Sequence, residues 1–197
     1  MMPVRRPEAP GPPSLPTLER VFGATTGEVQ LTLTSFFFGF SIGQSVVGPL
    51  ADRFGRRAPV CCGVLLFIIS SAACPFATSI NQLVGMRFLQ ALGSCSGIVT
   101  ARAIARDLFT PAETRRVFAT LILFVAVLPM IAPLIGGYLV TAFGWQSSFI
   151  VMAGLATITL IVMLLRVPET LKPEYVQPLS VSRVAAFYGL MLRDRLF

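Results

Sequence analysis

Between Arg116 and Arg166 lie 49 consecutive residues without a formal charge. At about 1.5 Å per helical residue, that stretch crosses a hydrocarbon layer of about 30 Å twice, with a turn between the crossings. The turn is legible as Phe143-Gly144-Trp145-Gln146-Ser147: a helix breaker, an indole suited to a membrane interface, and two polar residues. Two shorter neutral runs, of 23 and 29 residues, separate Glu28 from Asp52 and Arg57 from Arg87. Residues 83–101 form another apolar run whose one charge is Arg87. Only 13% of the 197 residues are charged, about half the usual share of a soluble domain. The pattern predicts an all-α membrane protein of about five transmembrane helices, near 27–51, 58–79, 82–105, 114–142 and 146–166. Helix is the expected state because lipid offers no hydrogen-bond partners, and residues 117–128 lack the alternating polarity of a barrel strand.

The basic residues give an orientation. Arg53, Arg56 and Arg57 follow the first span; Arg106, Arg115 and Arg116 follow the third, with Arg102 just inside it. Arg166, Lys172, Arg183, Arg193 and Arg195 follow the fifth, whereas the turns at 75–81 and 143–148 are uncharged. The arginine-bearing side is therefore expected to face the cytoplasm, with the C-terminus there too. The net charge of +7 then reflects topology and attraction to anionic lipid, and no nucleic-acid partner is expected.

Residues 1–26 read as a proline-rich leader, since six of the 15 prolines fall within the first 16 residues. Neither a helix nor a signal-peptide core is expected there. Five spans place this leader opposite the cytoplasm despite Arg5, Arg6 and Arg20, a mismatch that suggests something is missing upstream. At the other end, 171–197 read as a cytoplasmic linker. Within it, 180–197 are basic and amphipathic, suited either to the inner membrane surface or to a solvated tail.

The most specific feature is Gly48-Pro49-Leu50-Ala51-Asp52-Arg53-Phe54-Gly55-Arg56-Arg57. So short a connection between helices needs a tight turn, which Gly55 permits. Asp52, at the C-terminal edge of its helix, opposes the helix dipole and calls for a compensating cation or another helix's N-terminus. Asp107, at the end of the third span, stands where it could meet Arg56. Arg87 admits two readings, a side chain snorkelling to the interface or a cation facing a cavity. Gly39/Gly43 and Gly93/Gly97, each pair four residues apart, predict close helix packing. Pro129 and Pro133 are expected to bend the fourth span, with Gly136-Gly137 giving the bend room.

The decapeptide resembles the signature loop between the second and third helices of the major facilitator superfamily. Arg87-Phe88-Leu89-Gln90-Ala91-Leu92-Gly93 is similar to the arginine-plus-glycine motif of that family's fourth helix, and Arg106-Asp107 to the pair that ends it. Ala132-Pro133-Leu134-Ile135-Gly136-Gly137 is similar to the antiporter motif of the fifth helix. Trp145 and Glu169-Thr170-Leu171 fall where relatives carry a tryptophan and a short exit sequence. Ala91 and Ala132 depart from the glycines common there. Within the superfamily the likeness is to drug:proton antiporters of the bicyclomycin-resistance type.

The resemblance implies twelve helices in two six-helix halves, with a substrate cavity near the membrane midplane. On that template this chain supplies helices two to six and the start of the central linker; the first helix and the second half lie outside it. It further implies proton-coupled efflux of drug-like amphiphiles across the inner (plasma) membrane, with the lipid bilayer, protons, substrate and a second six-helix half as partners. Gly48, Asp52, Arg53, Gly55, Arg56 and Asp107 would control conformation. Pro133, Gly136 and Gly137 would shape a helix bend, and Arg87 would face the cavity. The competing expectation is a non-transporting fragment or a half-unit that needs a partner chain.

Enzyme chemistry is not expected. Gly93-Ser94-Cys95-Ser96-Gly97 mimics a nucleophile elbow, but the chain has no histidine to activate the cysteine. Cys61, Cys62, Cys74 and Cys95 lack metal-site spacing, and neither a phosphate-binding nor a dinucleotide loop is present. No cofactor or metal is expected.

Overall fold

The computed structural model describes residues 15–167 and Glu169. The linker expected at 171–197, including the amphipathic stretch, lies outside the described residues. Within them the elements are α1 (Leu15–Phe22), α2 (Thr26–Phe54), α3 (Arg57–Ala73, ending in a 3-10 turn Cys74–Phe76), α4 (Ile80–Leu108), α5 (Pro111–Phe143) and α6 (Gln146–Arg166). Five of these helices, α2 to α6, are long and apolar enough to cross a membrane.

Local chemistry explains where they start and stop. Thr25 and Glu28 form a reciprocal capping box on α2, with Glu28 accepting from the Thr25 N–H at 2.8 Å. Ser79 caps α4, while Gln82 reaches back to accept from the Thr78 N–H at 3.0 Å. Pro111 starts α5 at a position where no N–H is needed, and Glu113 accepts from the Thr110 N–H at 3.0 Å. α3 gives way early to its 3-10 turn at Pro75, short of the expected residue 79. Gly55 (φ 91°) and Gly144 (φ 85°) take the left-handed backbone that turns the chain after α2 and α5.

One expectation is corrected. The proline-rich leader was expected to hold no helix, yet Leu15–Phe22 is helical and α2 begins at Thr26. Pro16 sits in the first turn of α1, where a missing N–H costs nothing. Leu18 then packs into a cluster with Val29, Cys74, Ala77, Ile80, Leu83, Trp145 and Phe149 at the end of the bundle opposite the arginine-rich loops.

The centre of the bundle is α4, which packs along α2 on one side and α3 on the other, while α3 also packs on α6. Small residues make this possible. A methyl on Gly39 would strike the Phe88 carbonyl and ring, and one on Gly43 would strike the Cys95 sulfur. One on Gly93 would strike the backbone of Gly63 and Phe67 in α3. Gly97 differs: nothing lies within 4 Å of its would-be Cβ, so only the first glycine of that expected pair serves packing. The fifth helix stands apart, running unbroken through Pro129 and Pro133 with no buried residue.

Candidate functional site

Two constellations bring the sequence-derived residues together, one at each end of the bundle. At the arginine-rich end, the turn at Gly55-Arg56 places Arg56 between the ends of α2 and α4. Its Nη1 donates to the Asp52 carboxylate, one helical turn back, and its Nε donates to Asp107 Oδ2 at 3.1 Å. Burial disfavours the Arg56 charge, but the hydrogen bonds and charges of Asp52 and Asp107 outweigh it and hold the proton more firmly than usual. Asp52 thereby gains the cation that its place against the helix dipole requires.

Glu169 completes this end. Its carboxylate accepts from the Arg56 N–H at 2.8 Å and the Arg57 N–H at 3.1 Å. No side chain of the preceding turn caps α3, so a residue 113 positions away does so. Arg57 returns the contact by donating from Nη2 to the Leu164 carbonyl at 2.7 Å, near the end of α6. A Cβ on Gly55 would collide with the Glu169 carboxylate, so this glycine serves both its left-handed turn and the docking of Glu169. Arg53 lies outside the knot, its guanidinium 5.2 Å from the Phe54 ring centroid. Gly48 has open space around it.

The second constellation centres on Arg87, partly buried on α4. Its Nη1 donates to Gln90 Oε1 at 2.8 Å, and Gln90 Nε2 donates to the Ser71 hydroxyl at 2.6 Å. The guanidinium carbon lies 4.9 Å from the Phe36 ring centroid and 5.5 Å from that of Phe149, within cation–π range. Arg87 lines a cavity of about 320 Å³ together with Pro133, Gly136 and Gly137 of α5 and Trp145, Phe149 and Met152 around α6. The fourth- and fifth-helix motifs, which start 45 residues apart in sequence at Arg87 and Ala132, thus line one cavity. A second cavity, of about 460 Å³, lies between α4 and α5, lined by Ser94, Gly97, Arg102, Phe118 and Leu121 among others.

Gln90, Ser71 and Phe36 are among the participants in the Arg87 network that escaped the sequence reading. Gln90 carried a signal, because a polar residue three positions after Arg87 shares its helix face. Ser71 and Phe36 carried none, since both come from other helices and reach the network only through packing.

Residues 12–197 match the profile described as Major Facilitator Superfamily. The chain is 38% identical over 187 residues to the "Uncharacterized MFS-type transporter YdgK" of Bacillus subtilis, covering 94% of this chain and 46% of that protein. It is 30% identical over 183 residues to the "Bicyclomycin resistance protein homolog" of Haemophilus influenzae, covering 93% and 46%. Against the "Multidrug transporter MdfA" of Yersinia pestis it is 32% identical over 178 residues, covering 89% and 43%. The chain therefore spans less than half the length of these curated relatives.

Proposed function

The chain belongs to the major facilitator superfamily, and from that membership we propose that it forms most of the N-terminal half of a proton-coupled exporter of drugs or small amphiphiles. It is a multi-pass membrane protein of a transporter family. The proposal adds the inner membrane as its location, a cytoplasmic C-terminus, and alternating access as its mode of work. Relatives named for bicyclomycin resistance and multidrug transport support the substrate class.

The observation that carries the reading is the knot at Arg56. One guanidinium ties the ends of α2 and α4, and one carboxylate ties the exit of α6 to the start of α3. Such a fastening holds the half-bundle as one body, which is what rocking of one half against another requires. In this reading Asp52, Arg56 and Asp107 control conformation by keeping the half together as it moves, Gly55 gives the turn its shape, and Gly48 and Arg53 leave the helix end free to meet another helix. Pro133, Gly136 and Gly137 bend or loosen α5 beside the cavity, and Arg87 presents its charge to the cargo.

The share of the relatives that the chain spans favours a second reading, a half-unit that needs a partner six-helix chain. Accumulation of Nile red, an uncharged amphiphilic dye, in efflux-deficient cells expressing this chain separates the two. Autonomous efflux predicts less retained dye than with the empty vector, and a protonophore should abolish the difference. Retention equal to the vector removes autonomous efflux. Activity that appears only on co-expression of a six-helix second half assigns the chain as a half-unit.

A further inference from the structure

We propose that the cavity beside Arg87 receives an organic monoanion, a carboxylate carried on an aromatic or aliphatic body. This deepens the transport reading of the same cavity and rests on it for biological meaning, but the binding itself is measurable without transport.

The argument starts from the charge. A guanidinium carries five N–H donors, and the protein acceptor shown for Arg87 is the neutral amide oxygen of Gln90. Gln90 is itself committed to Ser71. The ion pairs among the described residues belong to Arg56, and none involves Arg87. Among the described residues, this partly buried cation is met by one amide dipole and two ring faces, Phe36 and Phe149. Removing a charge from water costs several kcal/mol unless an opposite charge or good hydrogen bonds compensate. A ligand carboxylate would supply both, through the paired N–H···O geometry that arginine favours.

The remaining walls define the body attached to that carboxylate. Leu83, Pro133, Trp145, Phe149 and Met152 are apolar or aromatic, and about 320 Å³ suits a small ligand. A ligand with a cationic head would meet Arg87 as a like charge, so the site selects by sign as well as by shape.

Trp145 is the one tryptophan of the chain and lines this cavity, so its emission reports occupancy. The full chain in zwitterionic nanodiscs is titrated with 4-phenylbutyrate and, separately, with its neutral amide, 4-phenylbutyramide. The acid should give a saturable change with a midpoint about tenfold below that of the amide. R87Q should bring the two midpoints together, and R87K should keep part of the difference. Equal midpoints in the unaltered chain, or a preference for the amide, would overturn the proposal without relying on any variant. Repeating the acid titration in nanodiscs containing phosphatidylglycerol should leave the response in place; its loss would mean that a lipid headgroup holds the site, and would overturn it too. If the acid binds as expected while dye efflux fails, the transport reading falls alone. If efflux succeeds while the acid shows no preference, this proposal falls alone.

Discussion

The two sides of α4 are built on opposite rules. Towards α2 and α3, backbones meet through Gly39, Gly43, Gly63 and Gly93 with no room for an added methyl. Towards α5, the contact is sparse, two cavities open, and Gly97 and Gly136 have no neighbour within 4 Å of a would-be Cβ. The more apolar helix is also the less buried: α5 is the most hydrophobic of the five spans and α4 the least, yet α4 is the most enclosed. In water that order would be backwards. In lipid it follows directly, because apolar side chains gain little from leaving hydrocarbon, and close packing of small residues supplies the attraction instead. One side of the molecule is a rigid seam, and the other is open to ligand, lipid or further helices.

The largest expected effect lies in the seam. Gly93→Leu should cost about 3 kcal/mol, because the obstacle is the α3 backbone rather than a yielding side chain. Denaturant titration of the detergent-solubilised chain, followed by helical circular dichroism, measures it. A loss below about 1 kcal/mol would mean that α3 and α4 are not in contact at Gly93.

At the knot, Arg56→Ala leaves Asp52 and Asp107 facing each other and should cost about 1 kcal/mol, the scale of a networked ion pair near the surface. A charge exchange, R56D with D107R, should recover part of that loss; no recovery would argue against direct pairing. The sign of the pH dependence follows from the raised Arg56 pKa. A basic group bound more tightly in the folded state stabilises it fully below its unfolded pKa and stops doing so only above its folded one. Between about pH 7 and pH 10, the R56A penalty should therefore stay constant.

Glu169→Gln keeps an acceptor but removes the charge at the start of α3 and should cost about 0.5–1 kcal/mol. Faster amide exchange at Arg56 and Arg57, with α4 unchanged, is the signature. Smallest of all, Gly136→Ala on the open side should shift stability by no more than about 0.5 kcal/mol, which the same denaturant titration checks. A large loss there would erase the contrast between the two sides.

Much of this architecture was readable from charge spacing, because an uncharged run long enough to cross lipid has few other destinations. The Arg56–Asp107 meeting was also readable, since both residues mark helix ends on the arginine-rich side. The helix at Leu15–Phe22 was not: proline content argued against it, and only the position of Pro16 within the first turn reconciles the two. Glu169 was readable as part of an exit motif, but its capping of α3 was hidden for a different reason. Its role depends on α6 ending beside the start of α3, a tertiary fact that no local pattern encodes. Gly97 shows the converse limit: the spacing of Gly93/Gly97 predicts a face, but not how far the neighbouring helix follows it.

The central claim is that these helices cross a bilayer with their arginine-bearing ends on one side. It is tested most directly by single cysteines introduced at exposed Asn81 and exposed Phe109, at opposite ends of α4, with the four native cysteines replaced by alanine. Intact cells are treated with a membrane-impermeant maleimide. The account predicts labelling at position 81 in intact cells and at position 109 only after permeabilisation. Equal labelling of both positions from outside would contradict it.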